Sequence, residues 1–129
     1  MSKMRILIVE DNPKIRGLLR AFLLDVADVY ECSDGDEVVE AFSLLRPDWV
    51  VMDVQMERVG GIDATRMLTK AFPDSRVVML SKHCDEYLKA EAHAAGAREY
   101  LVKDDLNVLR GFLLDSTRLN GAYENERNA

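Results

Sequence analysis

Short apolar runs of strand length alternate along the chain with longer segments in which apolar residues recur at helical spacing. The short runs occur at residues 5–9, 29–31, 49–53, 77–80 and 99–102. In the segments between them, apolar side chains return every three or four residues, which is typical of amphipathic helices. This alternation predicts an α/β domain in which a parallel sheet is covered by helices on both faces.

Polar and conformationally special residues indicate where the helices begin and end. Asn12 and Pro13 occupy the cap and first positions of the first predicted helix. Gly96 follows an alanine-rich segment at a typical helix end, and either Asp104 or Asp105 would cap the last helix. The first helix is predicted to carry five apolar residues on one face: Ile15, Leu18, Leu19, Phe22 and Leu23.

Composition narrows the class of protein. A chain of 129 residues with 48% hydrophobic and 31% charged residues is expected to form one globular domain. A net charge of -6 argues against a nucleic-acid surface within this domain, because binding phosphates requires clustered Lys and Arg. No apolar stretch approaches the ~20 residues that span a bilayer, and the start leads into a strand rather than a signal peptide, so we expect a cytoplasmic protein without a membrane segment. Cys32 and Cys84 lack metal-ligand spacing and are predicted to be reduced thiols.

Polar residues stand at the ends of four predicted strands: Glu10, Asp11, Asp53, Ser81 and Lys103. In a doubly wound sheet the ligand crevice lies outside the carboxyl ends of the strands. Each residue also has a simpler explanation, since Asp11 and Ser81 could cap helices and Lys103 could be a surface lysine. Together, however, like-charged carboxylates repel one another unless a cation or a proton intervenes. The combination therefore predicts a ligand site.

The chemistry of these groups suits a phosphoryl group and a hard cation. Carboxylates such as Glu10, Asp11 and Asp53 are ligands by which proteins hold Mg²⁺ together with phosphate oxygens. The ammonium of Lys103 can pair with a phosphoryl oxygen, and the hydroxyl of Ser81 can donate to another. Asp53 would then act as the nucleophile.

Five short motifs, in this order and at these separations, resemble the receiver domain of bacterial two-component response regulators. They are Val9-Glu10-Asp11-Asn12, Asp53 with Met56 and Gly61, Leu80-Ser81, Ala95-Gly96-Ala97, and Tyr100-Leu101-Val102-Lys103. The resemblance covers roughly Lys3 to Leu119. The Lys103-Asp104 pair and the segment from Ser81 to Tyr87 are most similar to receivers joined to a LuxR-type helix-turn-helix DNA-binding effector.

The resemblance implies a flavodoxin-like (βα)5 fold whose five-stranded parallel sheet has the order 2-1-3-4-5. It also implies that a sensor histidine kinase or a phosphotransfer protein phosphorylates Asp53. Mg²⁺ would be bound by Glu10, Asp11, Asp53 and the backbone carbonyl of Gln55. Such a domain assists only its own phosphotransfer and dephosphorylation, and would bind DNA only through an effector domain that is not in this chain.

The same resemblance assigns a switch and a timing role. Ser81 would bond the phosphoryl group and draw its loop inward, so that Tyr100 turns from exposed to buried. Without the family pattern, Tyr100 would be an edge-strand tyrosine with a wet hydroxyl. Gln55 and His83 would tune how fast water removes the phosphoryl group, whereas a solvated loop histidine is the other interpretation of His83.

Some positions depart from the family pattern. Glu57 stands where proline is frequent, and Asp104 replaces a proline that many receivers join through a cis peptide, so the isomer of the Lys103-Asp104 bond stays open. Residues 1–119 are expected to form the receiver, and residues 120–129 a polar tail or linker stump. Both an excised receiver and a stand-alone one fit this length.

Two other functions would use some of the same residues. A phosphatase of the haloacid dehalogenase type would also use an aspartate nucleophile and Mg²⁺, but it expects a second aspartate where this chain has Gln55. A receiver-like scaffold that acts by binding alone would keep the fold and lose the pocket residues. In the last helix, predicted to bury Leu106, Leu109 and Leu113, a stripe with Val108 and Phe112 would suit a homodimer or an effector contact, and a broader core face explains it equally well.

Overall fold

A computed structural model describes residues 3–115 of the protein. Five strands form one parallel sheet in the order β2-β1-β3-β4-β5. They are β1 (Met4–Val9), β2 (Ala27–Cys32), β3 (Trp49–Asp53), β4 (Val77–Ser81) and β5 (Glu99–Val102). The doubly wound, flavodoxin-like topology that the sequence predicted is confirmed.

Helices cover both faces of the sheet. They are α1 (Pro13–Leu23), α2 (Val38–Leu45), α3 (Gly61–Ala71), α4 (Glu86–Ala95) and α5 (residues 106–115), and a short 3-10 turn (Gly35–Glu37) precedes α2. Side chains of α1 and α5 pack on one face of the sheet, and those of α2, α3 and α4 pack on the other. This two-sided burial explains why the central strands are apolar without interruption.

Strand periodicity divides the core between the two faces. In β1, Ile6 and Ile8 join the cluster beneath α1 and α5, while Leu7 and Val9 join the opposite cluster. The alternation follows from the two-residue period of a strand. Because β1 and β3 lie in the middle of the sheet, their carboxyl ends are held between two packed layers.

The predicted helix boundaries are largely confirmed. The Asn12 side chain accepts hydrogen bonds from the backbone N–H groups of Lys14 (2.9 Å) and Ile15, and Gly96 ends α4 with φ 111°. Asp105, and not Asp104, caps α5, since it accepts from the backbone N–H of Asn107 at 2.9 Å.

The structure corrects one predicted core position and decides an open alternative at another. Leu18 of α1 is 62% exposed, whereas Leu19 and Leu23 are buried, because the helix presents a narrower face to the sheet than its apolar stripe suggested. In α5, Phe112 packs edge-on against Trp49 with 5.2 Å between ring centroids, so it belongs to the core, while Val108 is 51% exposed. Of the two residues in this stripe, Val108 is the exposed one. A homodimer through the stripe stays a prediction.

The structure also bears on the state of the cysteines, the isomer of the Lys103-Asp104 bond, membrane helices and the tail. Cys32 and Cys84 are free thiols, and burial together with nearby Glu37 and Asp36 raises the pKa of Cys32 to about 11. No peptide bond among residues 3–115 is cis, so Lys103 and Asp104 are joined in trans. None of the described helices is long and apolar enough to cross a membrane. The predicted polar tail lies outside the described residues.

Candidate functional site

The carboxyl ends of β1, β3, β4 and β5 meet at one edge of the sheet, where they surround a pocket of about 280 Å³. The predicted site residues that line it are Glu10, Asp11, Asp53, Gln55, Ser81 and Lys103. Residues from four separate strand ends thus converge as the topology of a parallel sheet requires.

Three carboxylates and one ammonium group form the centre of the pocket. Glu10, Asp11 and Asp53 each place an oxygen within 4.8 Å of the others. The Lys103 Nζ lies 2.7 Å from Asp53 Oδ1 and 3.0 Å from Glu10 Oε1, so one ammonium bridges two buried carboxylates. One positive charge against three potential negative charges leaves the cluster short of a cation.

Glu10 shows most clearly that the cluster lacks positive charge. It is 1% exposed, and its Oε2 atom has no hydrogen-bond partner among the described residues. Burial and the nearby Asp53 raise the pKa of Glu10 from its ordinary 4.5 to about 7, against the opposing effect of Lys103. Burial alone would lower the pKa of Lys103, but Asp53 and Glu10 outweigh it and raise that pKa. An orphaned buried oxygen in an all-oxygen donor set fits a hard cation such as Mg²⁺.

Backbone contacts fix the two segments that carry the carboxylates. The Arg16 Nη1 atom donates to the backbone carbonyl of Glu10 at 2.9 Å. Gly61 donates its N–H to the carbonyl of Val54 at 2.9 Å and closes the loop after β3. A Cβ on Gly61 would lie 1.9 Å from the carbonyl oxygen of Asp53, so this close approach requires glycine.

Gln55 lies at the mouth of the pocket. Its backbone N–H points toward Asp53 Oδ1 at 3.4 Å, and its side chain is exposed. The assignment of its carbonyl as a metal ligand stays a prediction.

Ser81 is connected to Tyr100 through the backbone of His83. The N–H of His83 donates to Ser81 Oγ at 3.3 Å, and the Tyr100 hydroxyl donates to the carbonyl of His83 at 2.9 Å. Tyr100 is 6% exposed, so the alternative of an edge tyrosine with a wet hydroxyl does not describe this structure. The His83 side chain is exposed, and among the described residues His83 is not part of the pocket lining.

The pocket lining also includes one residue that the sequence did not indicate and one that it singled out only as a departure from the family pattern. Lys82 lines the pocket beside Ser81, and its place directly after a strand end was the signal that could have shown this. Glu57 lines the pocket as well, so the departure from proline adds a carboxylate at its edge. The hydrogen bonds of Arg16 to the Glu10 carbonyl, and of the Arg58 and Val59 N–H groups to the Asp34 carboxylate, join separate elements and carry no local sequence signal.

Tyr100→Phe is expected to lower the free energy of unfolding by about 1 kcal/mol, because the His83 carbonyl loses its donor. Urea denaturation measures this difference. Tyr87→Phe is the matched control, since Tyr87 is 72% exposed, and it should leave the midpoint unchanged. Equal stability of the Tyr100 variant and the wild type would contradict a contributing hydrogen bond.

The fold and the site together are those of an α/β domain with a doubly wound parallel sheet, which holds three carboxylates and a lysine at the carboxyl ends of its strands. The sequence matches the response regulator receiver domain over residues 6–112, and the chain belongs to this family. Membership implies a regulatory domain in phosphorylation-dependent signalling. Receiver domains generally bind Mg²⁺, and the acidic cluster of this chain is in keeping with that property.

Relatives include transcription regulators and a chemotaxis protein. The chain is 34% identical to the transcriptional regulatory protein DegU of Brevibacillus brevis over 106 residues, which are 80% of this chain and 45% of that protein. It is 34% identical to the chemotaxis protein CheY of Thermotoga maritima over 103 residues, which are 77% of this chain and 84% of that one. The chain thus spans about half the length of the transcriptional regulators that it matches.

Solved structures agree with this assignment. A LuxR-family two-component response regulator from Aurantimonas superposes with a TM-score of 0.82 and 27% identity, covering 90% of this chain and 85% of that one. The likeness to a LuxR-family regulator confirms the predicted subgroup.

Proposed function

We propose that this domain is a phosphorylation switch in which Asp53 accepts a phosphoryl group from a sensor histidine kinase or a phosphotransfer protein. The observation that carries the proposal is the Lys103 ammonium, which lies 2.7 Å from Asp53 within a cluster of three carboxylates. A carboxylate oxygen of Asp53 would form the new bond to phosphorus as the donor's bond to phosphorus breaks and the donor keeps that electron pair. Lys103 would bind an oxygen of the transferred group.

Glu10, Asp11, Asp53 and the backbone carbonyl of Gln55 are the groups that would hold Mg²⁺. When bound there, the ion supplies positive charge that offsets the charges of the carboxylates and the phosphoryl oxygens. The unpartnered Oε2 atom of Glu10 supports this assignment, because a buried carboxylate oxygen without a partner is costly.

Signal output would pass from the pocket to Tyr100. Ser81 is proposed to donate its hydroxyl to the phosphoryl group, and any movement of Ser81 acts on His83, whose N–H it binds. The carbonyl of His83 in turn holds the Tyr100 hydroxyl, so Ser81 and Tyr100 share one short segment as a two-state element. The side chains of Gln55 and His83 are proposed to tune loss of the phosphoryl group.

The output partner is proposed from the relatives. A LuxR-type effector, outside this chain, would bind DNA, and a homodimer stays a further proposal. A phosphatase of the haloacid dehalogenase type is disfavoured because Gln55 stands where its second aspartate would be. A scaffold that acts by binding alone is disfavoured because the acidic cluster and Lys103 are in place.

Incubation with Mg²⁺ and acetyl phosphate is expected to give one phosphoryl adduct, which intact mass and peptide mapping locate on Asp53. The Asp53→Asn variant should give none, because an amide is not a nucleophile at this position. Asp63→Asn is the matched control, since Asp63 is an exposed aspartate of α3 paired with Arg66, and its adduct should persist. Absence of an adduct on wild-type Asp53 under trapping conditions would refute the proposal, and repeated turnover of an unrelated phosphoester would favour the phosphatase.

A further inference from the structure

We propose that Asp34 is a positioning residue that holds the β3–α3 loop (residues 54–60) against the pocket and thereby sets the affinity of the pocket for a divalent cation. Asp34 lies in the connection between β2 and α2, outside the pocket. The inference rests on the proposed function, because it concerns the metal-binding step of that site.

The carboxylate of Asp34 is buried and is held by backbone donors. It is 2% exposed. Its Oδ1 atom accepts from the N–H groups of Gly35 and Val59, each at 2.8 Å, and its Oδ2 atom accepts from the N–H of Arg58 at 3.0 Å. Burial opposes its ionisation, but these donors outweigh that effect and hold the pKa of Asp34 below its usual range. Charge-assisted bonds of this kind are about twice as strong as neutral ones.

Two of the three donors belong to the β3–α3 loop, so Asp34 does more than begin the 3-10 turn. The guanidinium of Arg58 pairs with Asp36, and the Asp34 carboxylate contacts the loop through its backbone. A residue serving only as a cap would need the Gly35 bond alone.

The loop that Asp34 holds is short and leads directly to the pocket. Its first residues, 54–57, line the pocket, and the hydrogen bond from Gly61 to the carbonyl of Val54 closes its ends at 2.9 Å. A displacement at Arg58 or Val59 therefore reaches the Gln55 backbone within a few residues. Partners bonded directly to metal ligands typically change metal affinity 10- to 100-fold when removed, and Asp34, which acts through the loop, is expected to have an effect at the low end of that range.

The β3–α3 loop is packed tightly against the connection between β2 and α2. A Cβ on Gly35 would lie 2.6 Å from the carbonyl oxygen of Val59 and 2.8 Å from the Cβ of Ala64. The backbone of the β2–α2 connection thus lies directly on the loop, and the Asp34 carboxylate satisfies the N–H groups that this contact buries.

Calorimetric titration of the whole chain with Mg²⁺, without any phosphodonor, tests this role. Asp34→Ala removes all three acceptor bonds and is expected to weaken Mg²⁺ binding about tenfold, the low end of the range for contacts around a metal site. Asp34→Asn keeps an oxygen for Gly35 and Val59 but turns an amide N–H₂ toward the N–H of Arg58. Its Mg²⁺ affinity should therefore lie between those of the wild type and of Asp34→Ala. The matched control is Asp48→Ala, because Asp48 accepts from the N–H of Arg5 at 2.7 Å at the opposite edge of the sheet.

Urea denaturation of the same variants separates positioning from stability. Asp48→Ala should lose stability and keep the wild-type Mg²⁺ affinity, whereas the Asp34 variants should lose affinity while folded. If Asp34→Ala does not fold, Asp34→Asn decides the question. Wild-type Mg²⁺ affinity in a folded Asp34 variant would overturn this inference alone. Failure of the wild type to bind Mg²⁺ would overturn the proposed metal site and the inference together.

Discussion

Gly61→Ala is expected to lower the free energy of unfolding by about 3 kcal/mol. The new Cβ would lie 1.9 Å from the carbonyl oxygen of Asp53 and 2.9 Å from Cε of Met79. The Met79 side chain can move, but the Asp53 carbonyl belongs to the end of β3, whose backbone is hydrogen-bonded in the sheet. The start of α3 must therefore shift away from the strand, which breaks the contact between Gly61 and Val54.

The same shift should weaken the site, since Asp53 and the loop that follows it both move. We expect the rate of phosphorylation by acetyl phosphate to fall about tenfold or more, because small misplacements of reacting groups have large effects. Urea denaturation and the mass assay measure the two effects. Gly17→Ala is the matched control: apart from its chain neighbours and the backbone of its own helix, a Cβ at Gly17 would have no atom within 4 Å, and the change should stabilise α1 by up to ~1 kcal/mol. Wild-type stability and rate in Gly61→Ala would show that the close approach is unimportant.

Glu10→Gln is expected to stabilise the metal-free protein at pH 8 by up to about 3 kcal/mol, and to have little effect at pH 5. The pKa of Glu10 in the folded protein is about 7, above its ordinary 4.5, so the folded state binds the proton more tightly than the unfolded state does. Stability from this group is therefore fully present below pH 4.5 and is lost as pH rises to about 7. Glutamine stays neutral throughout and avoids that loss.

Urea denaturation between pH 5 and 8, in the absence of Mg²⁺, measures the Glu10 effect. Glu57→Gln is the matched control, because it removes the same charge from an exposed side chain at the pocket edge rather than from a buried one. A stability difference between Glu10→Gln and the wild type that is flat with pH would contradict the assignment.

The affinity for Mg²⁺ should rise with pH, whereas the stability that Glu10 gives the metal-free protein falls. A carboxylate ligand must be deprotonated, so the affinity of the wild type is expected to fall as pH drops below about 7. In Glu10→Gln the affinity should be weaker and less dependent on pH over this range. Titration calorimetry at two pH values separates these outcomes, and a pH-independent wild-type affinity would argue against Glu10 as a ligand.

Local patterns predict the helices and strands and the central residues of the pocket, although not the whole of its lining. Asn12 and Gly96 could be placed because capping is a local property, and the strands could be placed because a buried parallel strand is a short apolar run. Convergence of Glu10, Asp53 and Lys103 followed from a rule of topology, since the carboxyl ends of parallel strands share one edge. Leu18 is exposed against the prediction, and the place of Phe112 was open between the core and a contact surface, because an apolar stripe does not reveal how much of it the sheet covers.

The sequence by itself determined the fold class, the order of the elements and the residues of the acidic pocket, because periodicity and strand-end position are encoded over short distances. Only the tertiary structure decided how those residues act on one another. The Lys103–Glu10 contact joins residues 93 apart, and the bonds from Asp34 to the β3–α3 loop join residues 24 and 25 apart. The raised pKa of Glu10 and the buried position of Tyr100 likewise depend on burial and on distant neighbours, which arise only when the chain is packed.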